Sequence, residues 1–170
     1  MQLKNLNHLN LVSDINLCGY TLEFMAKILL RRMRKNNFIF QLNQFANMQE
    51  IITKYRLDIA AQQWLLTQKI RADIIEFVFN DLATRKVSEI KLYEVKVNRR
   101  DVVVPDVTSA SYDFYNWVTQ NKFATVDFFL IQIHSNWNFE WQIVSFSNVK
   151  SHLHIYTSNW KKNVKDRIYS

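Results

Sequence analysis

One glycine and one proline in 170 residues, Gly19 and Pro105, set the tightest limit on what this chain can become. A GxGxxG dinucleotide turn, a GxxxxGK[ST] phosphate loop and a GxSxG nucleophile elbow each need at least two glycines. Nucleotide-dependent enzymes of those designs and elbow-type serine hydrolases are therefore excluded. The remaining composition is that of a folded domain, with 48% apolar and 22% charged residues, close to the globular average. A chain of this length buries roughly two thirds of its unfolded surface and needs no metal or disulfide simply to fold. The single cysteine, Cys18, closes no disulfide within the chain and fits a small buried hydrophobe in a reducing compartment. The start, Met1-Gln2-Leu3-Lys4-Asn5, lacks the apolar core of a signal peptide. The longest apolar stretches, such as Val126 to Ile133, are too short to cross a bilayer and are broken by Asp127 and Gln132. These features lead us to expect a soluble, cytoplasmic protein without a membrane partner. A net charge of +7 favours a polyanionic partner, nucleic acid ahead of a membrane surface.

Apolar periodicity divides the chain. Leu22, Met25, Ile28, Leu29 and Met33 recur at helical spacing, which predicts a helix from about Tyr20 to Lys35 with Gly19 and Thr21 at its start. Glu23, Lys27, Arg31 and Arg34 fall on its other face and form a basic ridge. An extended piece follows over Phe38 to Leu42, then a second helix from about Ala46 to Leu66. From Ile70 to Phe79 and from Ile90 to Val97, β-branched and aromatic residues predict strands. Pro105 and Thr108 introduce a helix bearing Tyr112, Tyr115 and Val118, and two strands follow, Val126 to Ile133 and Phe139 to Phe146. A helix between strands supplies the crossover that a parallel pair requires, and a short turn gives an antiparallel pair. The expected fold is α/β, a mixed central sheet of about four or five strands flanked by helices. We expect one domain over residues 1–170: a mainly helical part (1–68), a sheet core (69–150) and a tail (151–170) with Lys161, Lys162, Lys165 and Arg167.

The chemistry concentrates in Arg71-Ala72-Asp73 and Leu92-Tyr93-Glu94-Val95-Lys96-Val97. Side chains alternate across a strand, so Glu94 and Lys96 share one face while Tyr93, Val95 and Val97 take the other. A carboxylate and an ammonium inside an apolar strand are costly to bury unless they pair with each other or with a ligand. Asp73 can meet Glu94 if the two strands are antiparallel neighbours. Converging carboxylates repel, and Mg²⁺ or Mn²⁺ relieves the repulsion while keeping waters and reaching substrate phosphate. Glu76 has the opposite parity to Asp73 and is expected on the outer face. Glu89 and Lys91, a second E-x-K, are expected on a solvated face at the beginning of the strand. A surface Glu94–Lys96 pair and a turn-capping Asp73 are the bland alternatives.

An Asp followed by Glu-x-Lys on the next strand, with helices before and after, resembles the PD-(D/E)xK nuclease superfamily over about Gly19 to Ile133. Arg71-Ala72-Asp73 with Glu94-Val95-Lys96-Val97-Asn98-Arg99-Arg100-Asp101 is similar to the MmcB-like DNA-repair group, whose pattern is RAD, ExKxxRxD and a helix with tyrosine. Ala72 stands where the nominal motif has proline. The resemblance implies a restriction-endonuclease-like core and metal-dependent cleavage of DNA phosphodiesters. It implies Asp73, Glu94 and the Val95 carbonyl as metal ligands and Lys96 as the catalytic lysine. Glu23 takes the place of the first-helix acid of archaeal Holliday-junction resolvases, although its spacing to Lys27 also suits an exposed ion pair.

Lys27, Arg31, Arg99 and Arg100 are candidate phosphate contacts. Thr108, Tyr112, Asn116 and Gln120 lie four apart on one helix face that could flank the metal or touch DNA, with Tyr112 and Tyr115 alternatively in the core. His152 and His154 make a poor zinc site without a third ligand, and His8 and His134 carry no signal. Trp137, Trp141 and Trp160 could stack on bases or pack a sheet. The first expectation is a Mg²⁺- or Mn²⁺-dependent DNA endonuclease, directed by DNA structure more than by base sequence, in repair, recombination or replication. A homodimer would match the two strands of duplex DNA. The alternatives are a non-catalytic basic nucleic-acid-binding module on the same sheet and an interaction protein of a virus or mobile element.

Overall fold

The computed structural model describes residues 15–42, 48–67, 70–98, 105–120, 124–133 and 139–156. Arg99, Arg100, the basic tail, His8, His134, Trp137 and Trp160 lie outside the described residues, as does the side chain of Cys18. The elements run α1 (Ile15–Met33), β1 (Phe38–Gln41), α2 (Met48–Tyr55), α3 (Ile59–Thr67), β2 (Ile74–Asp81), β3 (Lys86–Asn98), β4 (Asp106–Thr108), α4 (Ser109–Gln120), β5 (Ala124–Ile133), β6 (Phe139–Ser145), α5 (Phe146–Val149) and β7 (His154–Tyr156). Five strands form a mixed sheet in the order β1-β2-β3-β5-β6, and β4 pairs with β7 in a separate two-stranded ribbon. Within the sheet only β3 and β5 run parallel, joined through α4 as a crossover requires. The expected α/β class and mixed sheet are both present.

Alternation along the strands makes two apolar layers. On one face Ile75, Phe77, Ile90, Leu92, Val126, Phe128 and Leu130 pack against α2, α3, α4 and Phe146 of α5. On the other, Ile39, Ile74, Tyr93, Phe129 and Ile131 pack against Ala26 and Leu30 of α1. The buried row of α1 is thus Leu22, Ala26, Leu29 and Leu30, while Ile28 and Met33 are exposed, contrary to the expected stripe. The helix also begins at Ile15, earlier than expected, and carries Gly19 inside it. A helical glycine weakens a helix by about 1 kcal/mol relative to alanine without ending it.

The single helix expected from Ala46 to Leu66 is two. Arg56 adopts φ 48° and ends α2, and Asp58 starts α3 by accepting the Ala60 and Ala61 amides at 3.0 and 3.2 Å. The other carboxylate oxygen of Asp58 accepts the Val87 amide at 2.6 Å, which ties the start of α3 to β3. Arg85, at φ 54° in the β2–β3 turn, donates to the Tyr55 carbonyl at 2.8 Å. Among the described residues both left-handed positions are arginines, while the chain's one glycine lies elsewhere, inside α1.

β2 begins at Ile74, later than expected, because Asp73 ends the pairing with its side chain. β3 begins earlier, at Lys86, because Ala83 and Thr84 close a tight turn onto the Asp81 carboxylate at 2.8 and 2.9 Å. No described helix is long and apolar enough to cross a membrane.

Candidate functional site

On the face packed by α4, the row Ile90, Leu92 turns polar at the carboxyl end of β3 with Glu94 and Lys96. In open α/β sheets the carboxyl ends of parallel strands are where ligands bind. β2 and β3 are antiparallel with Ile74 opposite Tyr93, which brings Asp73 level with Glu94. Asp73 is locked by its backbone: its amide donates to the Tyr93 carbonyl at 2.9 Å, and its carbonyl accepts the Leu42 amide at 2.7 Å. Its Oδ2 accepts the Val95 amide at 2.7 Å, so a carboxylate replaces the strand partner that β3 would otherwise find there. Expected as neighbours, Asp73, Glu94 and Lys96 are brought together.

Lys96 Nζ lies 2.6 Å from Glu94 Oε1, with side chains 28% and 13% exposed, so this is a half-buried pair and not a solvated one. The second Glu94 oxygen accepts the hydroxyl of Tyr115, a buried residue of α4, at 2.5 Å. Burial pushes the Asp73 carboxyl up to about 8, and the negative charges of Glu94 and Glu23 push it in the same direction. Glu23 reaches the cluster from α1. Gln41 of β1 donates to its Oε2 at 2.9 Å, and burial, then Glu94, raise its pKa while Gln41 and Lys96 lower it. The expected ion pair with Lys27 is not how either residue is engaged: Lys27 Nζ stands 4.6 Å above the Phe24 ring.

Among the described residues no group of three or more Asp, Glu, His or Cys side chains could hold a metal ion. The donor set is smaller, the carboxyl groups of Asp73 and Glu94 with the Val95 carbonyl next to Glu94 in sequence. That set fits an oxygen-seeking cation such as Mg²⁺, which keeps several waters and relies on one or two carboxylates plus substrate phosphate. Each carboxylate oxygen has two lone-pair positions, so the contacts to Lys96, Tyr115 and Val95 leave acceptor capacity on both acids.

The other expected residues are more dispersed. Arg31 donates to the Ile39 carbonyl at 2.9 and 3.2 Å through Nη2 and Nε, and so ties α1 to β1. Arg34 turns away from the expected ridge, with Nε 3.5 Å from Glu76 Oε1. Tyr112 packs edge-on against Phe146 at 5.7 Å between ring centres. Asn116 is half-buried and accepts the Thr119 hydroxyl on its carbonyl. Trp141 stacks on Phe129 at 5.4 Å, a sheet-packing role. His154 pairs with Asp106 at 3.2 Å on the surface.

One placement overturns its expectation. Glu76 does lie on the face opposite Asp73, but α1 covers that face and Glu76 is 0% exposed. Its carboxylate accepts Tyr93 Oη and Asn37 Nδ2 in short hydrogen bonds. Glu89 and Lys91, expected in solvent, are likewise partly buried there and lie 3.5 Å apart. Sequence reasoning also missed Gln41 and the role of Tyr115. The spacing of Thr108, Ser111 and Tyr115, successive turns of one helix face, is the signal that could have found Tyr115. No family model and no curated protein matches the chain.

Proposed function

We propose that the protein is a metal-dependent DNA endonuclease that hydrolyses phosphodiester bonds, directed by DNA structure more than by base sequence. One observation carries this reading: Asp73, Glu94 and Lys96 converge at the polar end of β3, where Glu94 and Glu23 help hold the Asp73 carboxyl up near 8. A carboxyl that burial keeps protonated beside a Glu94–Lys96 pair is suited to exchanging its proton for a divalent cation next to a phosphate diester. Asp73, Glu94 and the Val95 carbonyl would hold Mg²⁺ or Mn²⁺, which supplies Lewis acidity and an acidified water when bound. Lys96 holds its ammonium beside Glu94, placed to orient a water or to offset charge building on the phosphate. Glu23, steadied by Gln41, contributes negative charge from the α1 side without completing a three-acid metal group. The net charge of +7 suits a polyanionic substrate. A cytoplasmic setting and a two-fold dimer on duplex DNA complete the proposal.

The test is incubation of supercoiled, linear and branched DNA with Mg²⁺ or Mn²⁺. Wild type is expected to nick; Asp73→Ala, Lys96→Ala and EDTA-treated protein are expected not to. A second reading, a non-catalytic nucleic-acid-binding module, is favoured by the engagement of both Glu94 oxygens within the chain. DNA binding without nicking, unchanged in Glu94→Ala and in EDTA, would establish it instead.

A further inference from the structure

The contact between Tyr115 and Glu94 is made from a helix whose start is pinned. Thr108, at the end of β4, accepts the Ser111 amide on its hydroxyl oxygen at 3.1 Å and so caps the start of α4. The Thr108 hydroxyl donates to Ser111 Oγ at 2.9 Å. Tyr115 lies one turn beyond Ser111 on the same helix and donates to Glu94 Oε2 at 2.5 Å. The cap fixes where α4 begins, and α4 carries Tyr115 to Glu94.

The Tyr115 ring is well placed to transmit a fixed position. It is 0% exposed and meets Phe114, Phe128 and Phe146 edge-on, with ring centres 5.6 to 6.0 Å apart. An aromatic side chain gripped on several sides has no alternative rotamer, so its hydroxyl is fixed with respect to α4. Glu94, by contrast, has a flexible stem and a carboxylate that could swing fully onto Lys96. The Tyr115 hydroxyl holds the second oxygen back from that collapse.

We propose that Tyr115, carried on a helix whose start Thr108 and Ser111 pin, positions the Glu94 carboxylate for binding a divalent cation. The proposal rests on the nuclease reading of the site and deepens it by making α4 responsible for the geometry of one metal ligand. Outer partners of this kind typically change metal affinity about 10- to 100-fold when removed. Tyr115→Phe keeps every ring contact and deletes only the hydroxyl.

The experiment is calorimetric titration of the full chain with Mn²⁺, alongside thermal unfolding in EDTA. Tyr115→Phe is expected to weaken Mn²⁺ binding at least about 10-fold while it still unfolds cooperatively in EDTA, with Tm lowered only by the loss of one hydrogen bond. Thr108→Ala is expected to lower both Tm and affinity, and Thr108→Ser, which keeps the cap and the hydroxyl, to restore both. If Tyr115→Phe binds Mn²⁺ as wild type does while Glu94→Gln has lost it, the positioning role of Tyr115 is overturned and the metal site stands. If wild type binds no Mn²⁺, the nuclease reading fails and takes that role with it.

Discussion

A buried acid that holds its proton is a liability in the folded chain, and Asp73 is the sharpest case. Its carboxyl lies at about 8 in the folded protein against 3.8 in an open chain. The folded state therefore binds more protons between those values, and stability falls as pH rises across that window. The favourable contribution of protonated Asp73 is complete below about 3.8 and is lost as pH passes 8. Asp73→Asn keeps an acceptor for the Val95 amide but does not titrate. In EDTA it is expected to be more stable than wild type above pH 4, by a margin in Tm that widens as pH rises towards 8. Added Mg²⁺ should narrow the gap by stabilising wild type alone. Parallel thermal melts from pH 4 to 8 decide the matter: a constant gap would mean that Asp73 is not the buried acid. Glu76 is a second buried acid, with Tyr93 and Asn37 as its hydrogen-bond donors. Tyr93→Phe removes one of them and is expected to destabilise by about 1–3 kcal/mol in urea unfolding, with no first-order effect on metal binding, since Tyr93 faces α1. Parity alone placed Asp73, Glu94 and Lys96 together, because period-two alternation is a local property of strands. Parity could not tell which face α1 covers, and for that reason Glu76 read as exposed.

Elements show the same division between local and distant causes. The Phe38 to Leu42 extension, the two central strands, α4 and the β5–β6 pair were legible because their β-branched runs and helical spacings record burial directly. The break between α2 and α3 was not, since it carries neither glycine nor proline; Asp58 as a cap was the only mark. Arg56 bears the consequence, a residue with a Cβ in the left-handed region at φ 48°. Glycine occupies that region without a Cβ clash. Arg56→Gly is therefore expected to stabilise the protein by about 0.5–1 kcal/mol, after the entropy that glycine adds to the unfolded chain. Denaturant midpoints at unchanged m-value would show it, and a lower midpoint would mean that the Arg56 side chain makes a contact worth more than the strain. Arg85 is a poorer site for the same change, because its guanidinium also bonds to the Tyr55 carbonyl and lies 5.5 Å from the Phe38 ring centre.

For the whole molecule, the proposed function asks how a chain with a net charge of +7 would meet a polyanion. Glu23 of α1 and Tyr115 of α4 both reach the candidate site at the carboxyl end of β3, and α1 is the helix proposed to meet the phosphate diester. The side chains on that helix are not equivalent. Arg31 is engaged with the Ile39 carbonyl and Arg34 with Glu76. Lys27 rests on Phe24, a contact that an exposed ring gives up at little cost. Of the three it is the cation most able to turn towards a phosphate. The measurement is the salt dependence of DNA binding in EDTA, where no cleavage intrudes. Log affinity falls with log salt by about 0.9 per phosphate contact on duplex DNA. Lys27→Gln should lower that slope by about 1 and weaken binding uniformly across sequences. An unchanged slope would move the DNA path off α1. A loss confined to some sequences would mean that α1 reads bases, against the structure-directed recognition proposed for this site.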